Sequence, residues 1–145
     1  MTDVEFRGLA RMAGSLEFFA PFKGTELELL LSHIQLYDFE RGEAMFKPGD
    51  PASALFILYQ GGVRITLERK RLWLFRKRVS LEAGSLFGEM ALLGERIHSA
   101  KASAVAHSSL FVLFKADFQS LLKRSPAFDK HVHWLAESRQ FENGL

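Results

Sequence analysis

The chain contains no cysteine. That excludes disulfides and any zinc site built on thiolates, and it suits a reducing compartment. No apolar run approaches the ~20 residues that span a bilayer. The start, Met1-Thr2-Asp3-Val4-Glu5, carries acids where a secretory leader needs basic residues followed by an apolar stretch. We therefore expect a cytoplasmic protein. Also missing are a G-x-S-x-G elbow, a Walker loop and an H-E-x-x-H zinc helix. His131 and His133 are two apart, so on a helix they point to different faces and make a poor metal pair, and His33 and His107 stand alone. An enzyme is the weakest of the readings, and no metal or cofactor is expected.

What is present is an ordinary globular composition, 48% hydrophobic and 25% charged over 145 residues, enough for one domain with a real core. The net charge of +2 conceals one local patch. Residues 69–78 hold six positive side chains and no acid, and the rest of the chain carries a net charge of −4. The basic character is therefore confined, which argues against nucleic-acid binding over the whole surface.

Hydrophobic periodicity divides the chain. Leu27, Leu30, Leu31 and Ile34 recur at helical spacing behind Thr25-Glu26-Leu27-Glu28, which has the form of a capping box, so a short helix is predicted from about Glu26. The period then drops to two. Leu55, Ile57 and Tyr59 alternate with Phe56, Leu58 and Gln60, and Val63, Ile65 and Leu67 with Arg64, Thr66 and Glu68. These read as half-buried strands joined by a tight turn at Gly61-Gly62. Further strands are expected at 37–40, 75–82, 99–106 and 110–114, with turns at 47–50 and 83–85. Many short strands imply a sandwich or barrel. Helical spacing returns at Phe118, Leu121 and Leu122, and Ser125-Pro126 opens a final helix over about 126–142. Phe128, Val132 and Leu135 form its core stripe, whereas Trp134 and Phe141 share another face, suited to a lid over a ligand, a dimer contact or plain packing.

The segment 87–99 is the candidate site. Phe87-Gly88-Glu89-Met90-Ala91-Leu92-Leu93-Gly94 follows a strand, is bounded by glycines and reads as a turn with one or two turns of helix. Free amides at such an N-terminus favour a phosphate, and the Glu89 carboxylate there can accept hydrogen bonds from sugar hydroxyls. Taken alone, a glycine and a glutamate before a helix are common in proteins that bind nothing.

Two stretches carry a stronger signal. Arg41-Gly42-Glu43-Ala44-Met45-Phe46-Lys47-Pro48-Gly49-Asp50-Pro51-Ala52, leading on through 55–63, resembles the early strand and turn of the cyclic nucleotide-binding domain family. Gly84-Ser85-Leu86-Phe87-Gly88-Glu89-Met90-Ala91-Leu92-Leu93 is similar to that family's phosphate-binding cassette. The resemblance spans nearly the whole chain and implies a mainly β fold, a double-stranded β-helix or jelly-roll-like β-roll with helices at both ends. It divides the single domain 1–145 into a helical segment 1–34, a roll 35–114 and C-terminal helices 115–145. It also implies a ligand, cAMP or another cyclic nucleotide.

By that resemblance Glu89 takes the ribose 2′-hydroxyl, Gly88 and Ala91 offer backbone groups beside it, with Phe87 and Met90 in the same cassette, and Ser99 and Ala100 contact the phosphate. The family places Pro-Arg ahead of this strand, the arginine pairing the cyclic phosphate; here Ile97 and His98 stand there. An imidazole offers fewer donors than a guanidinium and is mostly neutral at pH 7, a loss worth roughly ten- to a hundred-fold in affinity. Arg96 could compensate only from a shortened loop. Lys101 stands where relatives often place a serine or threonine near the base, and Trp134 is a candidate lid.

An alternative is a degenerate member of the fold that docks through the basic stretch, Arg69, Lys70, Arg71, Trp73, Arg76, Lys77 and Arg78, read as a protruding hairpin for acidic protein, nucleic acid or anionic lipid. The bland version of this hairpin is solvated, with Leu74 and Phe75 tucked into the barrel. Family members that bind DNA carry a helix-turn-helix after the final helix, and none is read here before Leu145. Signalling would then pass by contact with an effector protein or by self-association in a homodimer, through the last helix or residues 4–22; membrane contact is the less favoured partner.

Overall fold

The computed structural model describes the backbone of residues 1–71 and 73–143, and the side chains outside 68–77 and 139–145. Helix α1 (Asp3–Gly14) starts at Thr2, whose hydroxyl accepts from the Glu5 amide at 3.1 Å while the Glu5 carboxylate accepts from the Thr2 amide at 2.7 Å. The capping box thus forms at the first helix, not at the predicted one. Helix α2 (Gly24–Ser32) begins two residues earlier than expected, with Lys23 as an N-cap that makes no side-chain bond. Thr25 is already inside the first turn and cannot cap it. A short 3₁₀ turn (Glu17–Phe19) lies between, and its Phe18 and Phe19 are buried.

Eight strands form two four-stranded sheets. The first has the order β1 (Gln35–Phe39), β8 (Ser108–Phe114), β3 (Ala54–Gln60), β6 (Leu86–Phe87). The second runs β2 (Ala44–Phe46), β7 (Ala100–Ala104), β4 (Val63–Arg71), β5 (Trp73–Leu81). All neighbouring strands are antiparallel. Helices α3 (Lys115–Arg124) and α4 (Pro126–Asn143) close the described chain, α4 opening on its proline as the sequence predicts. This is the helix-flanked β-roll expected from the family resemblance.

Two expectations need correction. Strands β3 and β4 are not a hairpin: β3 pairs with β6 and β8, and β4 with β5 and β7, so Gly61-Gly62 carries the chain from one sheet to the other. That crossing is tight. Gly61 has φ of +99°, and a side chain there would run into Ser108, whose buried hydroxyl accepts from the Gly62 amide at 3.1 Å and lies 2.9 Å from the Ala106 carbonyl. Nor is β3 half-buried, since Ala54 through Leu58 are buried on both faces. Leu55 and Ile57 join Phe111 and Leu113 of β8 in a cluster with the helices, including Leu9, Phe18, Leu30, Phe118, Phe128 and Leu135. Phe56 and Leu58 face the other way, into the roll, with Phe46, Val63, Phe87, Ala102 and Leu110. The central strand is covered by helices on one side and the second sheet on the other, which is why period-two alternation in its sequence does not mark a wet face.

Candidate functional site

The site begins at the end of β6. Gly88 holds φ of +75° and lets the chain leave the sheet into a single 3₁₀ turn, Glu89–Ala91, at the short end of the one or two helical turns expected. The turn closes on itself through Ala91 N–H to Gly88 C=O (3.1 Å), Leu92 to Glu89 (3.0 Å) and Leu93 to Met90 (3.1 Å). A Cβ at Gly88 would stand 3.1 Å from the Ala54 carbonyl and 3.4 Å from the Phe56 ring. Backbone conformation and close packing on β3 therefore both require glycine at this position.

The return segment is fixed by a short antiparallel ladder against the 47–52 turn. Ala52 donates to the Arg96 carbonyl (2.9 Å), His98 to that of Asp50 (2.9 Å) and Gly49 to that of His98 (2.8 Å), around a bridge between Pro51 and Ile97. Strand alternation then decides which side chains turn inward. Ile97 is 59% exposed, whereas His98 is 5% exposed and stacks on Phe46 with ring centroids 3.6 Å apart and planes within 7°.

Between these two segments lies a cleft of about 220 Å³. Phe87, Gly88, Glu89 and Met90 line one side and His98, Ser99 and Ala100 the other, so seven of the eight expected ligand residues are brought together. The eighth, Ala91, is fully buried and does not reach the cleft. Phe46, Ile65, Leu86 and Glu95 complete the lining and were missed. Phe46 and Leu86 lie in the two family-like stretches and Glu95 in the 87–99 segment, but none of them was singled out; Ile65 alternates in step with Val63 on the inward face of β4.

Lys101 lies outside the cleft. It is exposed on β7 opposite Thr66, while its neighbours Ala100 and Ala102 take the inward positions, so the pleat sends Lys101 to the outer face. Arg96 is exposed and is likewise absent from the lining, because the ladder to Ala52 leaves the loop at full length. Trp134 is 55% exposed on α4 and does not reach the cleft either; its neighbours Phe128, Val132 and Leu135 are core, as expected. In the basic stretch, β4 and β5 pair from Val63–Leu81 to Arg71–Trp73, but β7 follows β4 only as far as Leu67. The far half is a two-stranded ribbon standing clear of β7. Arg78 is exposed; the side chains of Arg69, Lys70, Arg71, Trp73, Leu74, Phe75, Arg76 and Lys77 lie outside the described residues.

Electrostatically the cleft is acidic among the described residues: Glu89 and Glu95 line it, with no lysine or arginine. Burial pushes the His98 imidazole below its ordinary value, partly opposed by the Asp50 carboxylate. Burial and the neighbouring Glu89 charge raise the Glu95 carboxyl. His98 Nδ1 stands 3.7 Å from Glu95 Oε1. A polar rim of carboxylates and a serine over an aromatic floor suits a small ligand with hydroxyl groups and a flat ring.

The model of the cyclic nucleotide-binding domain matches residues 37–125. The chain belongs to the cyclic nucleotide-binding domain family. It is 38% identical over 121 residues to the cyclic AMP receptor protein of Thermus thermophilus, covering 83% of this chain and 55% of that protein. Among solved structures it is similar to the catabolite activator protein of Thermus thermophilus, with a TM-score of 0.68 at 32% identity, covering 88% of this chain and 59% of that one. It also shares its fold with the regulatory domain of Toxoplasma gondii PKA crystallised with cAMP, at TM-score 0.74 and 20% identity, over 83% of this chain and 46% of that chain. The chain thus spans between 46% and 59% of the length of these proteins. Its cleft lies within the family match, as do the two family-like sequence stretches, 41–52 and 84–93. Among the described residues no helix is long and apolar enough to cross a membrane.

Proposed function

We propose that the chain is a cyclic nucleotide-sensing regulatory module, not an enzyme, whose ligand is cAMP or a close relative and which signals in the cytoplasm by contact with an effector protein or a second copy. The observation that carries this reading is the single cleft in which the Glu89 turn faces His98, Ser99 and Ala100. Glu89 accepts from the ribose hydroxyls, and Ser99 with the backbone at Ala100 serves the phosphate end. Phe46 and Phe87 supply apolar walls.

Support for a signal route comes from the far end of the same turn. Leu92 and Leu93 are buried in the helical cluster that holds Phe128, Val132 and Leu135 of α4, and Met90 lines the cleft while packing on that cluster. Movement of the turn on ligand entry then repacks the helix contacts, and α4 shifts with Trp134 as its reporter. Calorimetric titration with cAMP and cGMP tests the reading. Binding is expected, and Glu89→Gln should weaken it ten- to a hundred-fold, as loss of a charge-assisted hydrogen bond requires, about 1.5–3 kcal/mol. No heat and no thermal shift at millimolar ligand would overturn it.

A second reading, docking through the basic hairpin, is favoured by the ribbon that extends past β7. It is tested by binding to anionic vesicles at rising salt. Binding that survives charge reversal at Arg69, Lys70, Arg71, Arg76, Lys77 and Arg78 would exclude the patch.

A further inference from the structure

The phosphate end of the cleft has no permanently charged group among the described residues, and what stands there instead has a consequence for binding. His98 occupies the inward position of its ladder, buried and stacked on Phe46, and it lines both the ligand cleft and a second cavity of about 260 Å³ behind it. The ring is therefore held with one face against Phe46 while the residue forms part of the cleft lining. Among the described residues the charged groups facing it are acidic: Glu95 at 3.7 Å, Asp50 across the ladder, and Glu89 on the opposite wall. An anion entering this cleft meets carboxylates and a neutral imidazole.

We propose that His98 is the residue that reads the ligand's anionic group, and that it does so by taking up a proton as the cyclic phosphate enters, so that ligand affinity is coupled to pH. The inference rests on the reading of the cleft as a cyclic nucleotide site. A cyclic phosphodiester keeps one negative charge across the neutral and mildly acidic range, so the ligand itself takes up no proton there, and the proton is bound by the protein. In the free protein, burial holds His98 below the ordinary 6.5, so the imidazole is neutral at pH 7. The bound anion favours the imidazolium and raises that pKa. Between the two values the complex holds one more proton than the free protein, and affinity rises as pH falls through this window. A fixed arginine at this position would give no such dependence.

The test is titration of the whole chain with cAMP between pH 8 and pH 5.5, with adenosine, which has the same base and ribose without the charge, as the control. The expected result is a dissociation constant that falls by up to about tenfold per pH unit inside the window. At a fixed pH within it, the binding heat should vary with the ionisation enthalpy of the buffer by an amount that corresponds to proton uptake. Adenosine should show neither effect. His98→Arg should bind more tightly than the wild type at pH 8 and lose the pH dependence, and His98→Gln should lose the dependence while remaining folded by thermal melt. Binding of cAMP with an affinity that is flat in pH, or a dependence retained in His98→Gln, would overturn the proposal while leaving the cleft's identity standing. Failure to bind cAMP at any pH would overturn both.

Discussion

The stack of His98 on Phe46 joins the site to the core, and its worth can be measured. Phe46 is 7% exposed and lies between Phe56 at 5.9 Å, Phe87 at 6.2 Å and the His98 ring at 3.6 Å. Replacing it with alanine removes a ring from the interior of the roll and leaves a cavity between two sheets whose strands cannot collapse onto it. Such Phe→Ala changes cost about 3–5 kcal/mol. At about 2–4 °C per kcal/mol for a domain near this size, the melting temperature should fall by about 6–20 °C. The part owed to His98 is separable by a double-mutant cycle with Phe46→Ala, His98→Ala and the pair, followed by urea unfolding. A parallel aromatic stack predicts a coupling of about 0.5–1.5 kcal/mol. Coupling below about 0.3 kcal/mol, the range of independent sites, would mean that the stack does not hold the imidazole. A cost below about 1 kcal/mol for Phe46→Ala would show that this part of the roll is not packed as described.

The same logic applies at the two turns. Ser108→Ala strips the half-buried Gly62 amide of its acceptor at the crossing between sheets and should cost about 1–3 kcal/mol in urea unfolding; an unchanged midpoint would show that water replaces the hydroxyl. Gly88→Ala forces a side chain into φ of +75° and within 3.1 Å of the Ala54 carbonyl, so stability should drop by at least about 1 kcal/mol. Cyclic nucleotide affinity should fall with it, because the Glu89 turn must shift to relieve the contact. A neutral outcome at Gly88 would detach the turn from β3.

Much of the architecture was legible because the core periodicities are strong. The stripe of Phe128, Val132 and Leu135 gave the core face of α4, and the alternation of Val63, Ile65 and Leu67 gave the inward face of β4. The pairing of β3 was not legible, because a strand buried on both faces alternates apolar with apolar and carries no mark of which sheet it joins. The two-residue strand β6 is too short to have a period at all. At the site, local sequence placed Gly88 and Glu89, and the family resemblance placed Ser99 and Ala100, but Phe46 and Glu95 reach the cleft only through the 96–98 ladder against 49–52, a pairing with no local signature. Lys101 lies outside the cleft because the pleat of β7 turns it outward, and the Ala91 side chain because the turn buries it. Sequence fixes neighbours along the chain, while the pleat and the turn decide which of them face the ligand.

The central claim is that a cyclic nucleotide sits between the Glu89 turn and the segment 98–100. Two-dimensional amide NMR of the labelled chain during titration with cAMP at pH 6.5 tests it most directly. The account predicts the largest shifts at Gly88, Glu89, His98, Ser99 and Ala100, with smaller ones spreading to Leu92, Leu93 and α4. Shifts confined to the 68–77 ribbon, or spectra unchanged at saturating ligand, would contradict it.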